Sequence, residues 1–168
     1  MSLLVFDQTL KKQLHEQIIS TLNDVYLNAL KATALAHEAA TNKNNIAENK
    51  YDTLGLEAAY LAHGQSQRVL ECQNDLMAFK SLNPECFTPE MPIAIGALVS
   101  LIDEAQEEKY YFVGPSAGGL KIVFKQWNIL VVTTSSPIGR ALLGCLIDDE
   151  VAFNVAEKVH AYSIASVN

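Results

Sequence analysis

From Asp7 to residue 82 the chain contains no proline and only two glycines, and its apolar residues recur in steps of four and three. Ile18, Leu22, Val25, Ala29, Ala32, Ala36 and Ala39 follow the seven-residue rhythm of a coiled coil, and Gly55, Ala58, Ala62, Gln65, Val69, Cys72, Leu76 and Phe79 repeat it. Paired from the two ends inward, 18 with 76 through 39 with 55, the residue numbers always sum to 94. A constant sum is what two antiparallel helices in register require. The first half therefore reads as a helical hairpin, with Asp7 as the N-cap and Leu10 and Leu14 opening the apolar stripe.

The turn falls inside "NKNNIAENKYD", residues 42–52, which carries Glu48 and Asp52. Small residues crowd the seam near this tip, while Val, Leu, Ile and Phe fill it near the base. An arm of about 35 residues is roughly 50 Å long at 1.5 Å per residue. It buries one face and puts the amide of Gln65 on its seam. So long an arm with so little core reads as a probe.

"SLNPECFTPEMP", with Pro84, Pro89 and Pro92, cannot continue a helix and reads as a linker. Beyond it the pattern changes. "IAIGALVSLID", "KYYFVG", "LKIVF", "NILVVTT", "DEVAFNV" and "HAYSIASV" are short, β-branched or aromatic, and bounded by turn residues. "SPIGRALLG" is the one helical insertion, with Pro137 in its first turn and Gly144 near its end. The expected fold is α+β: an antiparallel coiled-coil hairpin over 1–82, a linker over 83–92, and a small antiparallel sheet with one short helix over 93–168.

A formal charge of −7 excludes blanket phosphate neutralisation as a way of holding nucleic acid, so no direct sequence-specific nucleic-acid binding is expected. Cys72, Cys86 and Cys145 are odd in number and widely spaced, which fits neither a disulfide framework nor a zinc site. They are expected to be reduced, in a cytoplasmic protein. "MSLLVFDQ" has no basic region of a signal peptide, and the apolar "IAIGALVSLI" is too short to span a bilayer.

Two motifs are near misses. "GPSAG", Gly114 to Gly118, has the spacing of a nucleophile elbow, but "LKIVF" follows it as a strand where that motif needs a helix, so it reads as a β-hairpin loop. "HEAAT" has Thr41 where a zinc motif needs a second histidine, and His15, His63 and His160 have no ligand spacing. No nucleophile, base and orienting group can be assembled from the sequence, so intrinsic enzymatic activity is not expected.

The two halves together resemble the bacterial Gre transcript-cleavage factors, which join a coiled-coil hairpin to an FKBP-like domain. "SSPIGRALLGCLIDDEV", residues 135–151, is similar to the family's Ser-Pro-x-Gly-x-Ala-Leu-Leu-Gly segment, and "YFVGPSAGG", Tyr111 to Gly119, to a second family stretch. The resemblance implies an elongation factor whose FKBP-like domain docks on core RNA polymerase beside the secondary channel, with Ser136, Pro137, Gly139 and Arg140 as the partner-binding segment. It also implies a hairpin that enters the channel and presents carboxylates to the Mg²⁺ of the polymerase active site, with no cofactor or metal held by the free protein.

The family tip reads Asp-x-x-Glu-Asn. Here Glu48 and Asn49 match, Asn45 replaces the aspartate, Tyr51 lies beside them, and Asp52 stands at i, i+4 from Glu48, on one face of a helix. On this resemblance Glu48 and Asp52 are the carboxylates expected to assist the metal, flanked by Lys43 and Lys50. Asp148 departs from the family as well, in the place of its usual glycine. The alternative reading is an interaction or chaperone-like protein that keeps this architecture without acting on polymerase, dimerising through its hairpin.

Overall fold

The computed structural model describes residues 7–41, 54–155 and 158–168. Two long helices come first: α1, Gln8–Thr41, and α2, Leu54–Ser81. Asp7 caps α1, its carboxylate accepting from the Leu10 amide at 2.8 Å. Every seam residue expected from the repeat is buried or half-buried except Ala39.

Six strands and a short helix follow. These are β1 Leu98–Asp103, β2 Glu108–Gly114, β3 Lys121–Phe124, β4 Trp127–Thr133, α3 Pro137–Leu142, β5 Glu150–Val155 and β6 Lys158–Val167. They form one sheet in the order β3-β4-β2-β1-β6-β5. All ladders are antiparallel but one: β2 and β4 run parallel, Tyr110 opposite Ile129 to Gly114 opposite Thr133. Because β4 lies between β2 and β3, the "GPSAG" loop crosses over a strand, and the expected hairpin loop is corrected on this point. Nearest-neighbour pairing was the simplest reading of two consecutive strands; the real partner of β3 is the strand after it.

The chain divides into two compact units: residues 1–19 with 78–168, and residues 20–77. In the first unit each face of the sheet packs against a helix. Val99, Leu101, Tyr111, Val113, Phe153 and Ile164 pack with Leu142 of α3. On the other face the ring of Phe79, wholly buried, meets Phe112 at 6.0 Å between centroids. Burying such a side chain contributes about 1.5–3 kcal/mol.

Polar pins fix this base. Gln8 donates from Nε2 to the Pro84 carbonyl at 2.7 Å and accepts from the Cys86 amide at 3.2 Å, so one amide side chain holds the linker as a strand neighbour would. His15 Nε2 lies 2.9 Å from the Phe79 carbonyl oxygen, a pair that keeps the predicted sum of 94. In the second unit His37 Nε2 and Ser66 Oγ meet at 3.5 Å, nine residues off that sum. Nine residues span roughly 13 Å of helix axis, more than a histidine and a serine bridge beside a helix-to-helix gap. The distal pairing therefore departs from the predicted register. The seam pattern specifies which face is buried, but runs of alanine let neighbouring registers bury it equally well.

Candidate docking site

The "SPIGRALLG" segment is held by its own chemistry. Ser136 is the N-cap of α3: its hydroxyl donates to the Thr133 carbonyl at 2.7 Å and accepts from the Gly139 amide at 3.1 Å. Pro137 takes the first helical position, where a missing N–H costs nothing. Gly139 is required by space, since a Cβ there would sit 2.0 Å from the Thr133 carbonyl oxygen. Leu142 is wholly buried in the core. Gly144, at φ 84°, ends the turn, its amide donating to the Ile93 carbonyl at 2.8 Å.

Of the four residues expected to bind a partner, Ser136 and Gly139 thus build the turn, while Pro137 and Arg140 are exposed. Beside Pro137 and Ile138 opens an apolar groove of about 560 Å³, floored by Tyr111, Leu130, Phe153 and Tyr162. The rings of Phe153 and Tyr162 stack 5.1 Å apart and nearly parallel, at 7°. Burial pushes the Tyr111 hydroxyl pKa up, keeping that side of the groove neutral. At the rim, Lys109 donates to Asp103 at 3.2 Å and lies 5.5 Å over the Tyr162 ring. Asp103 is held below the usual carboxylate range first by the Glu107 amide, and Lys109 above its usual value by Asp103.

The sequence reading missed this groove. Its signal was present in the alternation that puts Tyr111, Phe153 and Tyr162 on one face, but only the sheet order brings three separate strands beside α3.

Glu48, Asp52, Asn45, Asn49 and Tyr51 lie outside the described residues. Among the described residues no cluster of three or more His, Cys, Asp or Glu side chains is arranged to hold a metal ion. No described helix is long and apolar enough to cross a membrane.

Residues 88–168 match the family model for the C-terminal domain of the transcription elongation factors GreA and GreB. The match covers the whole sheet domain, 81 of the 168 residues. Similar solved structures include the GreA factor homolog 1 (Gfh1) of Thermus thermophilus, 16% identical with 93% of each chain covered and a TM-score of 0.36. Gfh1 of Thermus aquaticus is 19% identical, covering 91% of this chain and 92% of the other, with a TM-score of 0.38. A GreA/GreB elongation factor from Nitrosomonas europaea is 18% identical over 58% of this chain and 78% of its own, with a TM-score of 0.37. No curated protein sequence matches the chain. The matched residues include the whole of α3, its cap and the groove beside it.

Proposed function

We propose that this chain is a Gre-type elongation factor that binds RNA polymerase through its GreA/GreB domain and modulates elongation from the secondary channel. The observation that carries this reading is the family match over a domain whose α3 turn is locked by Ser136 and Gly139, leaving Pro137 and Arg140 outward. A guanidinium on a rigid turn suits a carboxylate on a partner, and Pro137 adds an apolar contact with no side-chain entropy to lose.

The hairpin tip is the second part of the proposal. Mg²⁺ prefers oxygen ligands, and a metal of this kind activates water for phosphodiester hydrolysis. Glu48 and Asp52 supply carboxylates beside the polymerase's own metal, so the hydrolysis belongs to the polymerase and this chain acts as its accessory in the cytoplasm. Asn45 offers a neutral amide where the family has an acid, a poorer ligand for a hard cation.

The test is a pull-down with core polymerase followed by transcript cleavage in a backtracked complex. Wild-type protein is expected to be retained, and Arg140→Glu to reduce retention while leaving the melting curve unchanged. Absence of any binding by wild-type protein sinks the reading. Retention unchanged by Arg140→Glu removes α3 from the contact.

A further inference from the structure

The charged residues of the distal hairpin are segregated in a way that the seam does not require. At 100° per residue, all seven charged side chains described in this unit, Asp24, Lys31, Glu38, Glu57, Arg68, Glu71 and Asp75, project to one flank. Among the described residues the other flank carries none. The contact between His37 and Ser66 fixes which sides of α1 and α2 adjoin, since both residues lie on the uncharged flank. Around them stand Asn, Gln, Ser, Thr, Ala and His side chains, with Leu30, Leu56, Leu70 and Met77 exposed by 38%, 57%, 54% and 56%.

We propose that this uncharged flank packs against the same flank of a second copy of the chain, forming a four-helix dimer. A nucleic acid or a charged peptide finds no countercharge there. A second copy meets a surface of the same neutral, leucine-studded kind, whereas contact through the opposite flank sets five acids and two bases against the same set in a chain of net charge −7. The extent also suffices. From Leu56 to Met77 the flank is roughly 32 Å long, and two helices side by side make it about 18 Å wide. That is on the order of 600 Å² per copy, near the lower end of stable interfaces. Leu35 and Leu61, exposed on the charged flank, stand apart from this surface.

Sedimentation velocity of the full chain over a concentration series tests the proposal, with circular dichroism of each variant as the check on folding. Wild-type protein is expected to show a reversible monomer–dimer equilibrium. Leu30→Glu with Leu70→Glu should leave only monomer. Ala59→Glu with Gln73→Glu, at exposed positions where folding is insensitive, should weaken the dimer by at least about tenfold, and decides the matter if the leucine variant unfolds. Leu35→Glu with Leu61→Glu should leave the dimer intact. A wild-type monomer throughout the series overturns the proposal, as does a dimer indifferent to acids on the uncharged flank or equally broken by the control pair. The outcome is independent of polymerase binding, which is not in the assay.

Discussion

Replacing Lys11 with methionine should stabilise this protein. Lys11 is fully buried at the start of α1, its ammonium donating to the Asn168 carbonyl and lying 5.4 and 5.6 Å from the rings of Phe87 and Phe112. Burial lowers its pKa from 10.5 to about 8, opposed by the nearby Cys86. A folded value below the unfolded one means that the unfolded chain holds a proton that the folded chain gives up between pH 8 and 10.5. Stability from this group is therefore greatest above pH 10.5, falls as pH drops through that window, and is lowest below 8. At about 1.4 kcal/mol per unit, holding the charge costs on the order of 3 kcal/mol at neutral pH.

Methionine matches the stem in volume and removes that cost. It also forfeits the two ring contacts, worth about 0.5–2 kcal/mol together. The Asn168 carbonyl keeps its bond from the Leu98 amide at 2.8 Å, so no acceptor is orphaned. The expected net gain at pH 7 is about 1–3 kcal/mol, in the range seen when buried charges give way to packed apolar groups. Urea unfolding of wild-type and variant protein from pH 7 to 10.5 reads it directly. Tyrosines and the other lysines titrate in both proteins and cancel in the difference. The gap between the two should close as pH rises. A methionine variant that is less stable at pH 7, or a gap constant across the window, would refute the reasoning.

Gly139→Ala should destabilise the domain by about 1–3 kcal/mol or more, because the new methyl meets a backbone carbonyl that cannot swing away; Ser136→Ala should cost about 1 kcal/mol as a lost cap, both read by thermal melts. Ala117 holds φ 56° without being glycine, and Ala117→Gly should raise stability by up to about 1 kcal/mol in urea titrations. Glu48→Ala should abolish any cleavage stimulation with polymerase affinity nearly intact, and Asn45→Asp should raise cleavage; a protein that cleaves strongly and ignores Asn45→Asp would make Asp52 the second acid.

The local features of the fold were legible because each is a short-range pattern. A seven-residue repeat determines which side chains face inward whatever they face, so Ile18, Leu22, Cys72 and Phe79 were recognisable as seam before any partner was known. The Asp7 cap and the α3 turn rest likewise on residues within four positions of one another, whereas β1 begins at Leu98, five residues inside the stretch read as a strand from Ile93. Gly139 was legible only as the glycine of the Ser-Pro-x-Gly motif that the segment resembles; the carbonyl that excludes a side chain there is six residues away.

What the tertiary structure alone decided involves partners distant in sequence. Lys11 reads as a surface lysine on a polar stretch of helix; it is buried because the last residue of the chain and the linker close over it, and no local pattern encodes a contact 157 positions away. The parallel pairing of β2 with β4 is likewise a choice among strands of similar composition, which no local pattern distinguishes. The groove beside α3 exists because a helix of six residues is too short to cover a face shared by β2, β4, β5 and β6. Periodicity specifies which face of an element is apolar; only packing determines how much of that face another element covers.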